Sequence, residues 1–228
     1  KIIYLFWNSF CLKTAVMPYL PKNGFTLIEL IVVIAIMSII AALAVASYKT
    51  YVMIARNASA LAQLNVVKNA QAALVEEIQC YGVSVFGATL SNPPGGSGIG
   101  TILGGPLISA STKTPGAMIT GQNSNNITSA VPLTVGNGII LRADTDGGNN
   151  SSCLIVVKHV NGDTAYGNDS DIVGVNYWVR NPAWVGQGVA GVPGAFPPGL
   201  QIPPCTNDKN DFQNAPGGGA PTPNWTYR

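Results

Sequence analysis

Apolar and polar positions divide the chain into contrasting stretches. From Leu30 to Ala46 nothing is charged and Ser38 is the only polar side chain; counting from Phe25, only Thr26 and Glu29 interrupt further. Read as a helix, a run of this length spans the hydrocarbon core of a bilayer, which takes about 20 residues. Beyond Tyr51 the pattern becomes periodic. Ile54, Ala58, Leu61, Leu64, Val67, Leu74 and Ile78 recur at three- and four-residue steps, with Ala70 and Gln71 in the one gap. Arg56, Gln63, Asn65, Lys68 and Asn69 occupy the other faces. No Pro or Gly lies between Phe25 and Tyr81, and Gly82 is a ready terminator. The pattern therefore predicts one helix of about 57 residues, roughly 85 Å long. Its second half is amphipathic and must pack on something, most simply a sheet.

From Gly82 to Ala130 the residues turn to Gly, Ser, Asn, Thr and Pro, with Lys113 the only charge. Pro93-Pro94-Gly95-Gly96 and Gly104-Gly105-Pro106 are turn signals. A structureless loop of this length is unusual in a compact domain, so Gly100 to Leu103 and Ala117 to Thr120 are candidates for local structure. Strand patterns follow at Val131–Val135, Gly138–Ala143, Cys153–Val160 and Val173–Val179. Short connections favour an antiparallel meander. The fold class expected is α+β: a long N-terminal helix, half apolar anchor and half amphipathic, packed on an antiparallel sheet, with a loop-rich C-terminal region. That tail, rich in Pro and Gly, is expected to be held by Cys205 and by Trp184, Phe196 or Trp225.

The flanks of the apolar run decide what kind of membrane segment it is. A secretory signal is cut behind its apolar stretch. Here Lys22-Asn23-Gly24 precedes the stretch, and the segment is expected to stay on the mature protein. Glu29 is the anomaly within it, because a carboxylate in an apolar span is expensive and usually has a partner. A cut after Gly24 would create an α-amino group on Phe25, four residues from Glu29. The plain alternative is a carboxyl that stays protonated or snorkels to the headgroups.

At these residues the chain resembles the type IV pilin and type II secretion pseudopilin family. Gly24, then Phe25-Thr26-Leu27-Ile28-Glu29-Leu30, then a long apolar helix, is similar to its class III signal; the likeness covers Lys22 to about Gln79. The resemblance implies that a prepilin peptidase cuts between Gly24 and Phe25 and N-methylates Phe25. It implies assembly into a helical filament, a homopolymer with the apolar helices in its core and Glu29 set against a neighbour's N-terminus. It further implies insertion in the inner membrane beforehand, an assembly machinery there, and then a cell-surface filament, or a periplasmic one for a pseudopilin. Where the family often carries a glycine and a proline this chain has Ser38 and Ala46, which favours a straighter helix.

Domain organisation follows: leader 1–24, filament-core helix 25–52, amphipathic helix 53–81, variable connection 82–130, sheet 131–181 and C-terminal loops 182–228. Met17 would give an eight-residue leader similar to those of the type IVa class, with residues 1–16 an over-extended start. A genuine long leader, as in type IVb pilins, is the alternative.

Composition changes the picture modestly. Only 10% of the 228 residues are charged, against about 25% ordinarily. Removing the three leader lysines from the formal +2 leaves −1 on the mature side chains, so nothing suggests a basic nucleic-acid groove. Cys11 would leave with the leader. Cys80, Cys153 and Cys205 remain, and any of three pairings is open. Cys153 with Cys205 would pin the tail to a strand, an arrangement similar to the C-terminal disulfide loop of many pilins; Cys80 with Cys153 is the alternative.

Two acidic loops have the composition of hard-cation sites: Asp144-Thr145-Asp146-Gly147-Gly148-Asn149, and the set Asp163, Asn168, Asp169 and Asp171. The second is reminiscent of the calcium loop of major pseudopilins, and calcium is a candidate there; ordinary turn chemistry is the competing reading. No other cofactor is expected. His159 is the only histidine and no G-x-S-x-G elbow is present, so an enzyme is not expected. The leading expectation is a structural pilus subunit. Its rivals are a pseudopilin or minor pilin, and a membrane-anchored periplasmic domain that never polymerises.

Overall fold

The computed structural model describes residues 24–86, 102–103, 117–147, 150–172, 174–188, 196–207, 210–212 and 225–227. The chain divides into two compact units, Lys1–Ala46 and Ser47–Arg228. A single helix, α1 (Leu27–Ile78, 52 residues), contributes to both. It runs without a break past Ser38, whose hydroxyl donates back to the Ala35 carbonyl at 2.7 Å, and past Ala46.

In the first unit every large apolar side chain from Phe25 to Val45 is exposed. In the second, α1 buries Ala60, Leu64, Val67, Ala70, Leu74 and Ile78, whose three- and four-residue steps form one stripe. The stripe is not quite the expected one. Ile54 and Ala58 lie outside it, with Ile54 57% exposed, while Gln63, placed by the pattern on a polar face, is buried with Gln71. Both glutamines are tolerated because both ends of each amide are bonded. Gln63 donates to Thr134 O at 2.9 Å and accepts from Gly136 N–H at 3.1 Å. Gln71 donates to Gly82 O at 2.6 Å and accepts from Gly82 N–H at 2.9 Å.

The helix stops at Ile78, three residues before the expected end. Gln79 takes a left-handed conformation (φ 59°) and Asn123 donates to the Ile78 carbonyl at 3.2 Å, capping it. Gly82 is needed for close approach, not for termination. A Cβ there would stand 2.5 Å from both Leu74 Cδ2 and the Thr120 carbonyl oxygen.

Strands β1 (Val83–Phe86), β3 (Ala117–Gln122) and β4 (Thr128–Leu133) form one antiparallel sheet in the order β1-β3-β4. Strands β2 (Ile102–Leu103), β5 (Ile139–Thr145), β6 (Cys153–His159), β7 (Thr164–Asp169), β8 (Tyr177–Arg180) and β9 (Thr226–Tyr227) form a second, β2-β5-β6-β7-β8-β9, antiparallel throughout. Two sheets thus stand where one was expected. Ser84 bridges them: its hydroxyl accepts the Ala143 N–H at 2.9 Å and lies 3.3 Å from the Ala143 carbonyl. The candidate pieces at 100–103 and 117–120 do contain strands, and β7 occupies residues read as an acidic loop.

Strand β6 is buried on both faces, and its alternation makes two cores. Cys153, Ile155 and Val157 join the helix stripe, with Ile139, Leu141 and Ala143 of β5. Leu154 and Val156 face the other way, against Ala165, Tyr177, Val179, Trp184, Cys205, Phe212 and Trp225. The sheet lies between α1 and the C-terminal segment, so the helix needs only one apolar stripe and the tail is held by aromatics. Phe212 stacks on Tyr177 at 4.7 Å and tilts against Trp225 at 4.6 Å. Its ring lies where a Cβ at Gly167 would go.

Candidate functional site

The residues singled out at the N-terminus lie together at the start of α1. Phe25 is 80% exposed. A Cβ on Gly24 would meet nothing within 4 Å, so packing makes no demand for glycine at this position. Thr26 precedes the first helical residue and acts as its N-cap. Its N–H and hydroxyl both donate to Glu29 Oε2, at 2.8 and 2.7 Å, while Glu29 N–H approaches Thr26 Oγ1 at 3.3 Å. This is a reciprocal capping box, two orphan donors of the helix start satisfied by one pair of side chains. Glu29 thus has a partner in its own chain besides the expected cation, and Thr26-Leu27-Ile28-Glu29 carries the Thr-x-x-Glu spacing that announces the box. Both short bonds use Oε2, which leaves Oε1 to meet a further donor.

The second acidic set does not converge as a calcium site would require. Asp163 lies just before β7 and Asn168 and Asp169 at its far end, five and six residues on, with a strand rising about 3.3 Å per residue between them. Asp163 is instead the hub of a clasp between helix and sheet. It accepts from Asn57 Nδ2 at 2.6 Å, Thr164 Oγ1 at 2.8 Å and Arg180 Nε at 2.6 Å. Burial pushes its carboxyl up, but these hydrogen bonds and the Arg180 charge outweigh burial and hold it below the usual range. Asp169 is fully buried and accepts the backbone N–H groups of Asp171 and Asp211 at 3.0 and 2.8 Å. Burial raises it to about 6, with the nearby Asp211 and Asp171 charges adding to the shift. Asp211 in turn accepts from the Thr206 N–H at 2.8 Å and from the Thr206 hydroxyl. These carboxylates tie the C-terminal segment to the sheet. Asn168 donates to Val175 O at 2.8 Å. In the first loop Asp144 pairs with Arg142 at 3.0 Å and Asp146 holds Ser151; Gly148 and Asn149 lie outside the described residues. Among the described residues no group of three or more His, Cys, Asp or Glu is placed to hold a metal.

Cys80, Cys153 and Cys205 are buried free thiols, so neither Cys153 with Cys205 nor Cys80 with Cys153 is bonded in the structure. Cys153 faces the helix and Cys205 belongs to the core on the other side of β6. Cys205 Sγ lies 3.6 Å from the Ser152 hydroxyl instead. Burial raises both thiols, Cys153 to about 12, which makes them poor nucleophiles.

Lys158 and His159 end β6. Lys158 is fully buried and its Nζ donates to the carbonyls of His159, Val160 and Trp184 at 2.8, 3.1 and 3.2 Å. Burial pulls it down to about 8. His159 Nδ1 accepts the Asn161 N–H at 3.0 Å. Burial first, then the Arg56 and Lys158 charges, lower it to about 4, so it is neutral at pH 7. These contacts are structural and form no nucleophile–base pair.

The described residues contain one helix long and apolar enough to cross a membrane, and its apolar window is entirely unburied. No solved structure matches the chain. The family described as the prokaryotic N-terminal methylation motif matches residues 21–45. It is a structural, pilin-type motif. Together with the long apolar helix that continues from it, it fits the signal of a type IV pilin or pseudopilin precursor.

Proposed function

We propose that the chain is the precursor of a structural subunit of a type IV pilus filament. A prepilin peptidase cuts it between Gly24 and Phe25 and methylates the new Phe25 amine, and the mature chain polymerises through α1. One observation carries this reading: the exposed apolar surface from Phe25 to Val45, with a single carboxylate at Glu29, directly behind the methylation motif. Such a surface needs lipid before assembly and neighbouring helices after it. Once the filament leaves the bilayer, burial between protomers keeps this surface from water, at about 25 cal/mol per Å², and so holds the bundle together. Glu29 sets the register, meeting the Phe25 amine of a neighbour inside the apolar bundle, where an unpaired carboxylate would be costly.

Mass spectrometry of filaments sheared from cells tests the reading. An abundant peptide beginning at N-methylated Phe25 is expected in the sheared fraction. Glu29→Ala should be cut normally and be absent from filaments; its incorporation at wild-type level would refute the register role. A processed peptide confined to membranes would move the chain to a pseudopilin or minor subunit. An uncut N-terminus would leave an anchored domain that does not polymerise.

A further inference from the structure

Within the unit Ser47–Arg228 the start of the helix does not close on the sheet. A groove of about 660 Å³ lies there, with Met53, Ile54, Tyr166 and Trp178 among its walls and Lys49 and Arg180 as its cations. Its one acid, Asp163, is already engaged by Asn57, Thr164 and Arg180. The groove is therefore apolar inside and positive overall. Lys49 is exposed, and the Arg180 side chain is 61% exposed.

The other end of the same helix carries the opposite charge in an unfavourable place. Glu76 and Glu77 are exposed in the last turns, and no basic residue lies in the final turn. Carboxylates at a helix C-terminus face the negative end of the dipole. No salt bridge within the described residues offsets them. Ala73, also exposed, stands three and four residues before them, so the three share one outward face. That face is a narrow ridge, small enough to enter a groove and ending in two anions.

We propose that the groove is a docking site for a second copy of this chain, receiving the neighbour's Ala73–Glu77 ridge with Glu76 and Glu77 against Lys49 and Arg180. The proposal rests on the filament reading and adds the contact that sets the axial offset. Lys49 and Glu77 are 28 residues apart on the helix, so parallel copies in this contact are displaced by about 42 Å along the helix.

Charge reversal in cells that assemble the filament tests it. Lys49→Glu and Glu77→Lys should each lower sheared filament yield at least about ten-fold while the membrane pool of processed subunit is unchanged. The double variant should return to within about three-fold of wild type. Because a single variant could fail to accumulate, cross-linking in the otherwise native chain gives a second measurement. Ile54→Cys combined with Ala73→Cys should form a ladder of oligomers with a short bismaleimide in intact filaments. Full filament yield from both single variants, a double variant no better than either, or no ladder would overturn the docking site while leaving the filament reading intact. A Lys49→Glu defect that Glu77→Lys does not repair, with weaker binding to anionic vesicles, would assign the groove to lipid headgroups and overturn it too. Absence of filaments from the wild-type chain itself would instead sink the filament reading.

Discussion

Replacing Gln71 by methionine tests how the helix is fixed on the sheet. Gln71 is 2% exposed, and its amide bonds both the N–H and the carbonyl of Gly82, at 2.9 and 2.6 Å. Methionine keeps the length and loses both bonds. Each buried backbone group left facing an apolar side chain costs about 1–3 kcal/mol, so the pair costs about 2–6 kcal/mol. Gln71 already buries its Cβ and Cγ, so the sulfur and methyl of methionine return only about 1–2 kcal/mol, for a net loss of about 1–4 kcal/mol. For a chain of this size that lowers Tm by about 3–12 °C. Thermal unfolding of the processed full chain in detergent, followed by near-UV circular dichroism, reads the change. Asn65→Met, on an exposed position of the same helix, should stay within about 0.5 kcal/mol of wild type. Gly82→Ala attacks the clasp from the other side. Its Cβ would stand 2.5 Å from the Thr120 carbonyl oxygen, and a backbone atom there cannot yield. Since each change breaks the same clasp, the double variant should lose less than the two single losses added. A Gln71→Met chain as stable as wild type, or full additivity with Gly82→Ala, would refute the clasp.

Two further predictions concern the rest of the second unit. His159 has a folded pKa of about 4 against an ordinary 6.5, so its contribution is present above pH 6.5 and is lost as pH falls towards 4. Asp169, raised to about 6 from 3.8, acts in the opposite sense, its contribution present below pH 3.8 and lost as pH rises through 6. His159→Gln removes the first and leaves the second. Stability measured by urea between pH 4 and 6 should then fall more steeply with rising pH than in wild type; an unchanged slope would refute the assignment. Gly167→Ala should expel the Phe212 ring, since the new Cβ would lie 2.7 Å from Phe212 Cε1. Its cost should match that of Phe212→Ala, about 3–5 kcal/mol. A denaturation midpoint equal to wild type would show that the ring is not seated there.

The apolar run, the long helix and the sheet behind it were legible because each rests on a long, repeated signal. Thirteen of the large apolar residues between Leu27 and Val45 are exposed, which is the condition their sequence announced. The helix stripe departs from the pattern at Ile54 and Ala58, apolar yet exposed, and at Gln63, polar yet buried. Gln63 and Gln71 are buried since a glutamine amide can substitute for one residue's worth of strand partner, a property no periodicity displays. Strand β7 was missed because Asp163, Asn168 and Asp169 read as turn residues. They flank or end a strand whose apolar positions are only Ala165 and Tyr166. The cysteines are a related case: in the structure Cys80, Cys153 and Cys205 are free thiols. Which face of β6 each sulfur shares depends on register, and register is not visible without the sheet. Phe212, the anchor of the tail, carried no signal beyond being an aromatic residue among polar ones.

Thr26 separates two demands on Glu29 that the sequence alone had merged. Before any copy meets another, the carboxylate already has partners, because Oε2 takes both the Thr26 N–H and its hydroxyl. That reduces the expense of carrying Glu29 at the start of an apolar helix, and it also fixes where the carboxylate points. Oε1 is then directed by the box towards whatever donor the assembled bundle supplies. If the box orients Glu29, Thr26→Val should weaken the register contact without removing the anion. The cap is present before and after assembly, so what changes is the freedom of the carboxylate: fixing a side chain that the box no longer orders costs about 0.5–1.5 kcal/mol on assembly, about a two- to twelve-fold shift in the assembly equilibrium. Thr26→Ser keeps the hydroxyl and should assemble as wild type. Sheared filament yields should rank wild type and Thr26→Ser together, Thr26→Val a few-fold lower, and Glu29→Ala near zero, all with normal processing. Equal yields from Thr26→Val and wild type would mean that the box plays no part in assembly. A Thr26→Val defect as deep as that of Glu29→Ala would mean that Thr26 makes a contact of its own across the bundle.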